Sequence, residues 1–235
     1  MPDGDSNGDD GLILVINPGS TSTKIAVFRD EECRMQESIR HSREDLARFH
    51  RVPEQRPYRR DAILDALAAK GFALERFRVV VSRGGLTRPV SGGVYAIDDG
   101  LLDDLDNERH GTHACNLGAG IAREIAGRIG VPAFIADPPT VDEMDPVARY
   151  SGHPAITRIC IFHALSQKAA ARRAAKELGV RYEDANFIVI HMGGGVSIGS
   201  HRKGRVVDVN NALDGEGPFS PERTGSLPIR GVAKF

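Results

Sequence analysis

Residues Leu12–Phe28 read LILVINPGSTSTKIAVF. An apolar run stops at Asn17-Pro18-Gly19. It gives way to Ser20, Thr21, Ser22, Thr23 and Lys24, then turns apolar again at Ile25. Such a cluster of hydroxyls and a lysine between two strand patterns points to a hairpin whose turn receives something anionic. A Walker-type loop would need a second glycine before the lysine and a helix after it. Here a strand follows, so the helix dipole is not on offer. The remaining route to a phosphate is a turn whose backbone N–H groups and hydroxyls face the ligand, with the lysine as a point charge. An ordinary hairpin with solvated hydroxyls is the alternative.

The layout recurs. FIVIHMGGGVSIGSH, Phe187–His201, again runs from apolar residues through a polar one to glycine, small residues and a second strand. Gly19 and Gly193 stand 174 positions apart (193 − 19). A repeat of this kind implies two copies of one domain type with their phosphate turns facing each other. Gly193 and Gly195 hint at a dinucleotide fingerprint, and Gly195-Val196-Ser197-Ile198-Gly199 matches a hydrolase nucleophile elbow. Both need a following helix, and SHRKGR is instead a turn between strands.

Working outward, Leu12–Ile16, Ile25–Phe28 and Cys33–Ile39 read as strands. The arginines around Pro53 and Pro57 read as a loop. Ile63, Leu64, Leu67 and Ala68 have helical spacing, with Gly71 as a stop. Phe77–Val81 is a short strand ending at SRGG. Two helices fit between Asp98 and Gly130, and Val131–Ala136 is a strand that ends in DPPTVDEMD. A long helix is predicted from about Arg158 to Leu178. Three strands follow, Phe187–Ile190, Val196–His201 and Arg205–Val209. Alternating elements with an antiparallel opening imply an α/β fold.

Composition narrows the function classes. Lysine plus arginine number 31 against 32 aspartates and glutamates, so bulk charge suggests neither a nucleic-acid nor a membrane partner. Cys33, Cys115 and Cys160 are widely spaced, which argues against a disulfide framework or zinc site and fits a reducing, cytoplasmic location. Residues 1–11, MPDGDSNGDDG, read as a disordered acidic tail.

Three further side chains carry chemistry by position, and a fourth, His163, reads from position alone as structural. Arg83 in SRGG and Asp137 after VPAFIA both stand where open α/β sheets bind ligands, at the carboxyl ends of strands. Arg83 suits a carboxylate or phosphate. His163, in ICIFHAL, is placed among apolar neighbours on the long helix. Arg223, in PFSPERTGSLP, lies in a loop of glycine, proline and hydroxyls and reads as an anion contact.

NPGSTSTK, VSRGG, FIADPPTVDEMDPVARYSG, IFHALSQKAAARRAA, HMGGGVSIG and NNALDGEGPFSPERTGSLP together resemble the butyrate kinase branch of the acetate kinase family. The resemblance runs in order from Leu12 to about Pro228. It implies the actin-like ATPase fold of duplicated ribonuclease-H-like domains, with a first domain over 12–150 and the start of a second over 151–235. It also implies ATP-dependent phosphorylation of a short-chain carboxylate, butyrate or a similar acid, to an acyl phosphate, with Mg²⁺ and a homodimeric assembly. On that resemblance Asn17, Ser20, Ser22 and Lys24 belong to the first phosphate loop, with Asn17 beside the metal. His191, Gly193, Gly194 and Gly195 belong to the second. Arg83, Asp137, His163 and Arg223 match catalytic positions. Gly194 stands where acetate kinases carry an asparagine, as in butyrate kinases, and Arg83 is shifted relative to the substrate arginine of acetate kinases. Because the family's adenosine-binding part is expected beyond residue 235, a truncated chain with little turnover of its own is anticipated. Two alternatives stay open: an inactive fragment with residual anion binding, and a sugar-type kinase of the same superfamily.

Overall fold

The computed structural model describes residues 11–235. The expected tail, apart from Gly11, lies outside the described residues.

Strands β1 (Leu12–Pro18), β2 (Ser22–Arg29) and β3 (Glu32–Arg40) form an antiparallel meander. A short α1 (Arg43–Leu46) and the longer α2 (Arg56–Ala69) lead to β4 (Phe77–Arg83). Next come β5 (Val94–Ala96), α3 (Asp99–Asp106), α4 (Leu117–Ile129) and β6 (Ala133–Ala136). These strands make one six-stranded sheet, ordered β3-β2-β1-β4-β6-β5. β4 pairs parallel with β1 and β6 parallel with β4, while β5 is antiparallel to β6.

The second sheet is antiparallel β7-β8-β9, formed by β7 (Asn186–Met192), β8 (Val196–Arg202) and β9 (Arg205–Val209). α5 (Ala164–Glu177) precedes it and a single turn, α6 (Ile229–Val232), follows. Its three strands repeat the β1-β2-β3 meander. The chain divides into two compact units, one running up to Thr87 and resuming over Val94–Ala136, the other made of Arg88–Gly93 and Asp137–Phe235.

Burial explains the first sheet. Alternate residues of β1 (Leu12, Leu14, Ile16) and of β2 (Ile25, Val27) lie in the core with Ile63 and Leu67 of α2 and Ile121 and Ile125 of α4. This is the period of two for strands meeting the three-to-four spacing of helices. Gly118 lets α4 lie directly on β4: a Cβ there would strike the Ser82 hydroxyl and come within 2.9 Å of the Arg83 carbonyl. That close approach anchors the end of β4 where Arg83 stands.

Two sequence expectations need correction. The arginines at 56–60 belong to α2 and not to a loop. Pro57 sits in the first helical turn, where its missing N–H would have had no intrahelical acceptor. The helix expected from Arg158 begins instead at Ala164. Residues 158–163 run outside a helix because their backbone groups are engaged elsewhere: Arg158 N–H donates to Arg149 O, Phe162 N–H to Pro139 O, and Ala212 N–H to Ile161 O. His163 therefore occupies the N-terminal boundary of α5 and not its body. β5, only three residues long, was not anticipated at all.

The three cysteines are free thiols. Cys33 is exposed. Burial pushes the Cys115 thiol up to about 11 and the Cys160 thiol up to about 12. One thiol per chain is therefore expected to react quickly with a disulfide reagent at mildly alkaline pH, and two only after denaturation. Rapid reaction of all three in the native protein would contradict this packing. Among the described residues no helix is long and apolar enough to cross a membrane.

Candidate active site

In the first unit the hairpin pairs Asn17 with Lys24 across its two strands, and Ser20 and Ser22 sit on or beside the turn. Gly19 N–H donates to the Ser22 carbonyl at 2.7 Å, closing the turn on itself. Among the described residues, the Asn17 amide, the Ser20 and Ser22 hydroxyls and the Lys24 ammonium have no side-chain hydrogen bond. A set of donors left uncommitted at one turn is what an anion site requires.

The support beneath the turn comes from a separate element and has no motif of its own in the sequence. Arg59 of α2 is fully buried. Its guanidinium donates to the carbonyls of Gly19 (2.7 Å) and Ser20 (3.0 Å), more distantly to those of Ser22 and to the Thr23 hydroxyl, and to Gln55 Oε1. Among the described residues it has no carboxylate partner. Burial lowers its pKa to about 10, with Tyr58 opposing, so it stays cationic at neutral pH. Thr23, also fully buried, shares a 2.9 Å hydrogen bond with His41. By occupying the carbonyls, Arg59 fixes the turn and leaves a positive charge directly behind it. The available signal was spacing: Arg59, Ile63 and Leu67 fall on one i, i+4 stripe, so an arginine lay on a core-facing line.

Arg83 ends β4, half-buried, and its guanidinium has no hydrogen-bond or ion-pair partner among the described residues. Its carbonyl and that of Ile16 both lie within reach of the buried Ser82 hydroxyl, at 3.0 and 3.2 Å, which ties the end of β4 to β1.

In the second unit, His163, His191 and Gly195 come together. The two imidazoles stack with centroids 3.8 Å apart and planes 10° from parallel. His191 Nδ1 is 3.0 Å from the Ser166 hydroxyl, and His163 Nδ1 is 2.9 Å from that of Ser197. A Cβ on Gly195 would lie 3.1 Å from the His163 ring, so glycine there makes room for the imidazole. Gly193 N–H donates to the Gly195 carbonyl at 3.0 Å, the counterpart of the Gly19–Ser22 bond.

The loop carrying Arg223 docks on this second turn. The Ser220 hydroxyl (2.6 Å) and Glu222 N–H (3.1 Å) both donate to the Gly194 carbonyl. A Cβ at Gly194 would meet the Glu222 carboxyl at 2.9 Å. Glu222 thus takes space beside Gly194 that an asparagine side chain, as in acetate kinases, would need. Arg223 donates to the Glu222 carbonyl at 2.8 Å and is otherwise turned away from strong ion pairing, its nearest carboxylate being Glu222 at 3.8 Å.

Asp137 is 4% exposed and has φ of +38°, a left-handed conformation uncommon outside glycine, asparagine and aspartate. Its carboxylate accepts from Gly93 N–H (2.8 Å) and from Arg172 of α5 (3.1 Å), and its own N–H donates to the Gly93 carbonyl at 2.8 Å. It is thus a buried, paired carboxylate.

Known proteins share both the sequence and the fold. A model of the Acetokinase family matches residues 147–219. A probable butyrate kinase of Listeria innocua is 52% identical over 217 residues, 92% of this chain. The chain spans 61% of that relative's length. Among solved structures, acetate kinase of Porphyromonas gingivalis superposes with a TM-score of 0.72 at 17% identity, over 95% of this chain and 63% of that one. A propionate kinase of Francisella tularensis gives 0.67 at 19% identity over the same shares. At such identities the structural likeness shows a common fold, the α/β fold that the resemblance implies. Residues 147–219 thus carry an Acetokinase family segment, set within a chain that is similar over nearly all of its length to a probable butyrate kinase.

Proposed function

We propose that the protein serves ATP-dependent phosphorylation of a short-chain carboxylate, butyrate or a near homologue, to an acyl phosphate. The observation that carries the reading is the first turn. Its hydroxyls and lysine are uncommitted, its carbonyls are occupied by a buried arginine, and it lies within a chain 52% identical to a probable butyrate kinase. In this reading Ser20, Ser22 and Lys24 hold phosphate oxygens, and the Gly193–Gly195 turn holds others. Arg83 and Arg223 neutralise the carboxylate and the moving phosphoryl group. His163 and His191 supply ring nitrogens beside the second turn.

The acceptor needs no base. A carboxylic acid is ionised at neutral pH, so the protein's task is in-line placement and charge neutralisation. Asp137, buried against Gly93 and Arg172, suits holding Arg172 and the Gly93 loop in place. Among the described residues no group of three or more His, Cys, Asp or Glu could hold a metal ion. Magnesium keeps much of its water and binds through phosphates, which fits a site where Asn17 would stand beside the metal. The ion would supply charge neutralisation on the nucleotide when bound.

A polypeptide of the relatives' full length containing this sequence is expected to form acyl hydroxamate from butyrate, Mg-ATP and hydroxylamine. Absence of ATP-dependent product with butyrate, propionate and acetate alike would overturn the reading. Asp137→Asn separates it from a sugar kinase. With a carboxylate acceptor, turnover should fall by no more than about tenfold, whereas loss of a general base costs about 10²–10⁴.

A further inference from the structure

Behind His163 lies a run of buried polar groups that the proposed chemistry does not itself require. Tyr182, His201, Gln167 and Ser197 are 4%, 1%, 0% and 0% exposed. Their contacts form a line. Tyr182 Oη lies 2.7 Å from His201 Nδ1, and His201 Nε2 lies 3.0 Å from Gln167 Oε1. Gln167 Nε2 donates to both the Ser197 hydroxyl (2.7 Å) and the Ser197 carbonyl (3.1 Å). The Ser197 hydroxyl lies 2.9 Å from His163 Nδ1.

The line has a direction, set by one group that can only accept. The Ser197 carbonyl has no proton to give, so the Gln167 NH₂ must face it and Oε1 must face His201. His201 then carries its proton on Nε2. As a neutral ring it accepts at Nδ1 from the Tyr182 hydroxyl. Burial, aided by Lys168 and against Glu143, holds its pKa down to about 4, which keeps the ring neutral at pH 7. At the other end the Ser197 hydroxyl accepts from Gln167, and among the described residues His163 Nδ1 is the one acceptor within reach of its own buried proton, so that proton goes to Nδ1. A Cβ at Gly199 would collide with Gln167 Oε1, so the strand carries glycine where the amide passes.

We propose that Tyr182, His201, Gln167 and Ser197 are positioning residues, a one-directional hydrogen-bond relay that fixes His163 as the tautomer protonated on Nε2, beside the Gly193–Gly195 turn. An N–H on that side attracts a phosphoryl oxygen, while a lone pair there would repel it. The tautomer stands on the geometry alone; its use in phosphoryl transfer rests on the carboxylate kinase reading.

The test reads the imidazole directly and needs no turnover. In ¹⁵N-labelled protein at neutral pH, with the His163 signal assigned by its loss in His163→Gln, long-range ¹H–¹⁵N correlations should show a pyridine-type Nδ1 and a pyrrole-type Nε2. A pyrrole-type Nδ1 in the folded wild type would overturn the relay. Ser197→Ala should replace the single tautomer by an exchanging mixture, and an unchanged single tautomer in that folded variant would also overturn it. Should the kinase assay fail while the wild-type signature is found, the relay survives and the assigned reaction does not.

Discussion

Arg59→Met is expected to lower the urea unfolding midpoint, with a loss on the order of 3 kcal/mol, and to weaken tripolyphosphate binding by about tenfold or more. Methionine replaces most of the arginine's buried stem, so the loss isolates the guanidinium. The carbonyls of Gly19 and Ser20, now bonded at 2.7 and 3.0 Å, lose their donors, and Gln55 loses its partner. The turn then has no fixed shape in which to present Ser20, Ser22 and Lys24, and the charge behind it is gone. Arg59→Lys keeps a cation but cannot span several acceptors with a planar fork. It should therefore regain part of the affinity and little of the stability. Equilibrium unfolding and calorimetric titration with tripolyphosphate read the two effects separately. Wild-type values for both in Arg59→Met would remove Arg59 from the account of the turn.

Acidification should cost the fold stability through two neutral, buried histidines. His41 is held down to about 4, chiefly by burial and then by the Arg59 charge, with Asp45 opposing. Its Nδ1 is buried without a hydrogen-bond partner, so a proton added there finds no acceptor. His201 is likewise held down to about 4. Both have folded-state values below the unfolded value of 6.5. Between those limits the unfolded chain binds more protons than the folded one, so stability falls as pH drops from about 6.5 and levels off below about 4. The contribution is on the order of 2 kcal/mol per histidine across the window. Urea midpoints taken from about pH 7 down to about 4.5 would show the decline, and His41→Gln with His201→Gln should flatten much of it. A midpoint independent of pH across that range would refute the assignment.

Much of the fold was legible because its signals are local. The two hairpins show apolar runs broken by short polar turns, and α4 shows Leu117, Ile121 and Ile125 on one face. Where local signals conflict, the reading failed. Pro57 and its arginine neighbours looked like a loop, although proline is at home in a first helical turn. The apolar run 159–162 looked like helix, although a short apolar run fits buried extended chain equally well. Residues at the site's surface could be named one by one from type and position. The groups that hold them could not, because Arg59 reaches back some forty residues and Gln167 reaches forward some thirty, to Ser197 and His201 of β8. Only a polar residue standing on an otherwise apolar stripe marked either one.

The positive φ at Asp137 makes that position a handedness filter. Most L-residues are disfavoured in this basin, whereas asparagine and glycine enter it readily. Alanine or leucine there would mix a twisted main chain with a missing charge, and the resulting defect would speak to neither. Asparagine alone alters the charge while keeping both shape and torsion, so inheritance at this position is narrowed by geometry before chemistry is consulted.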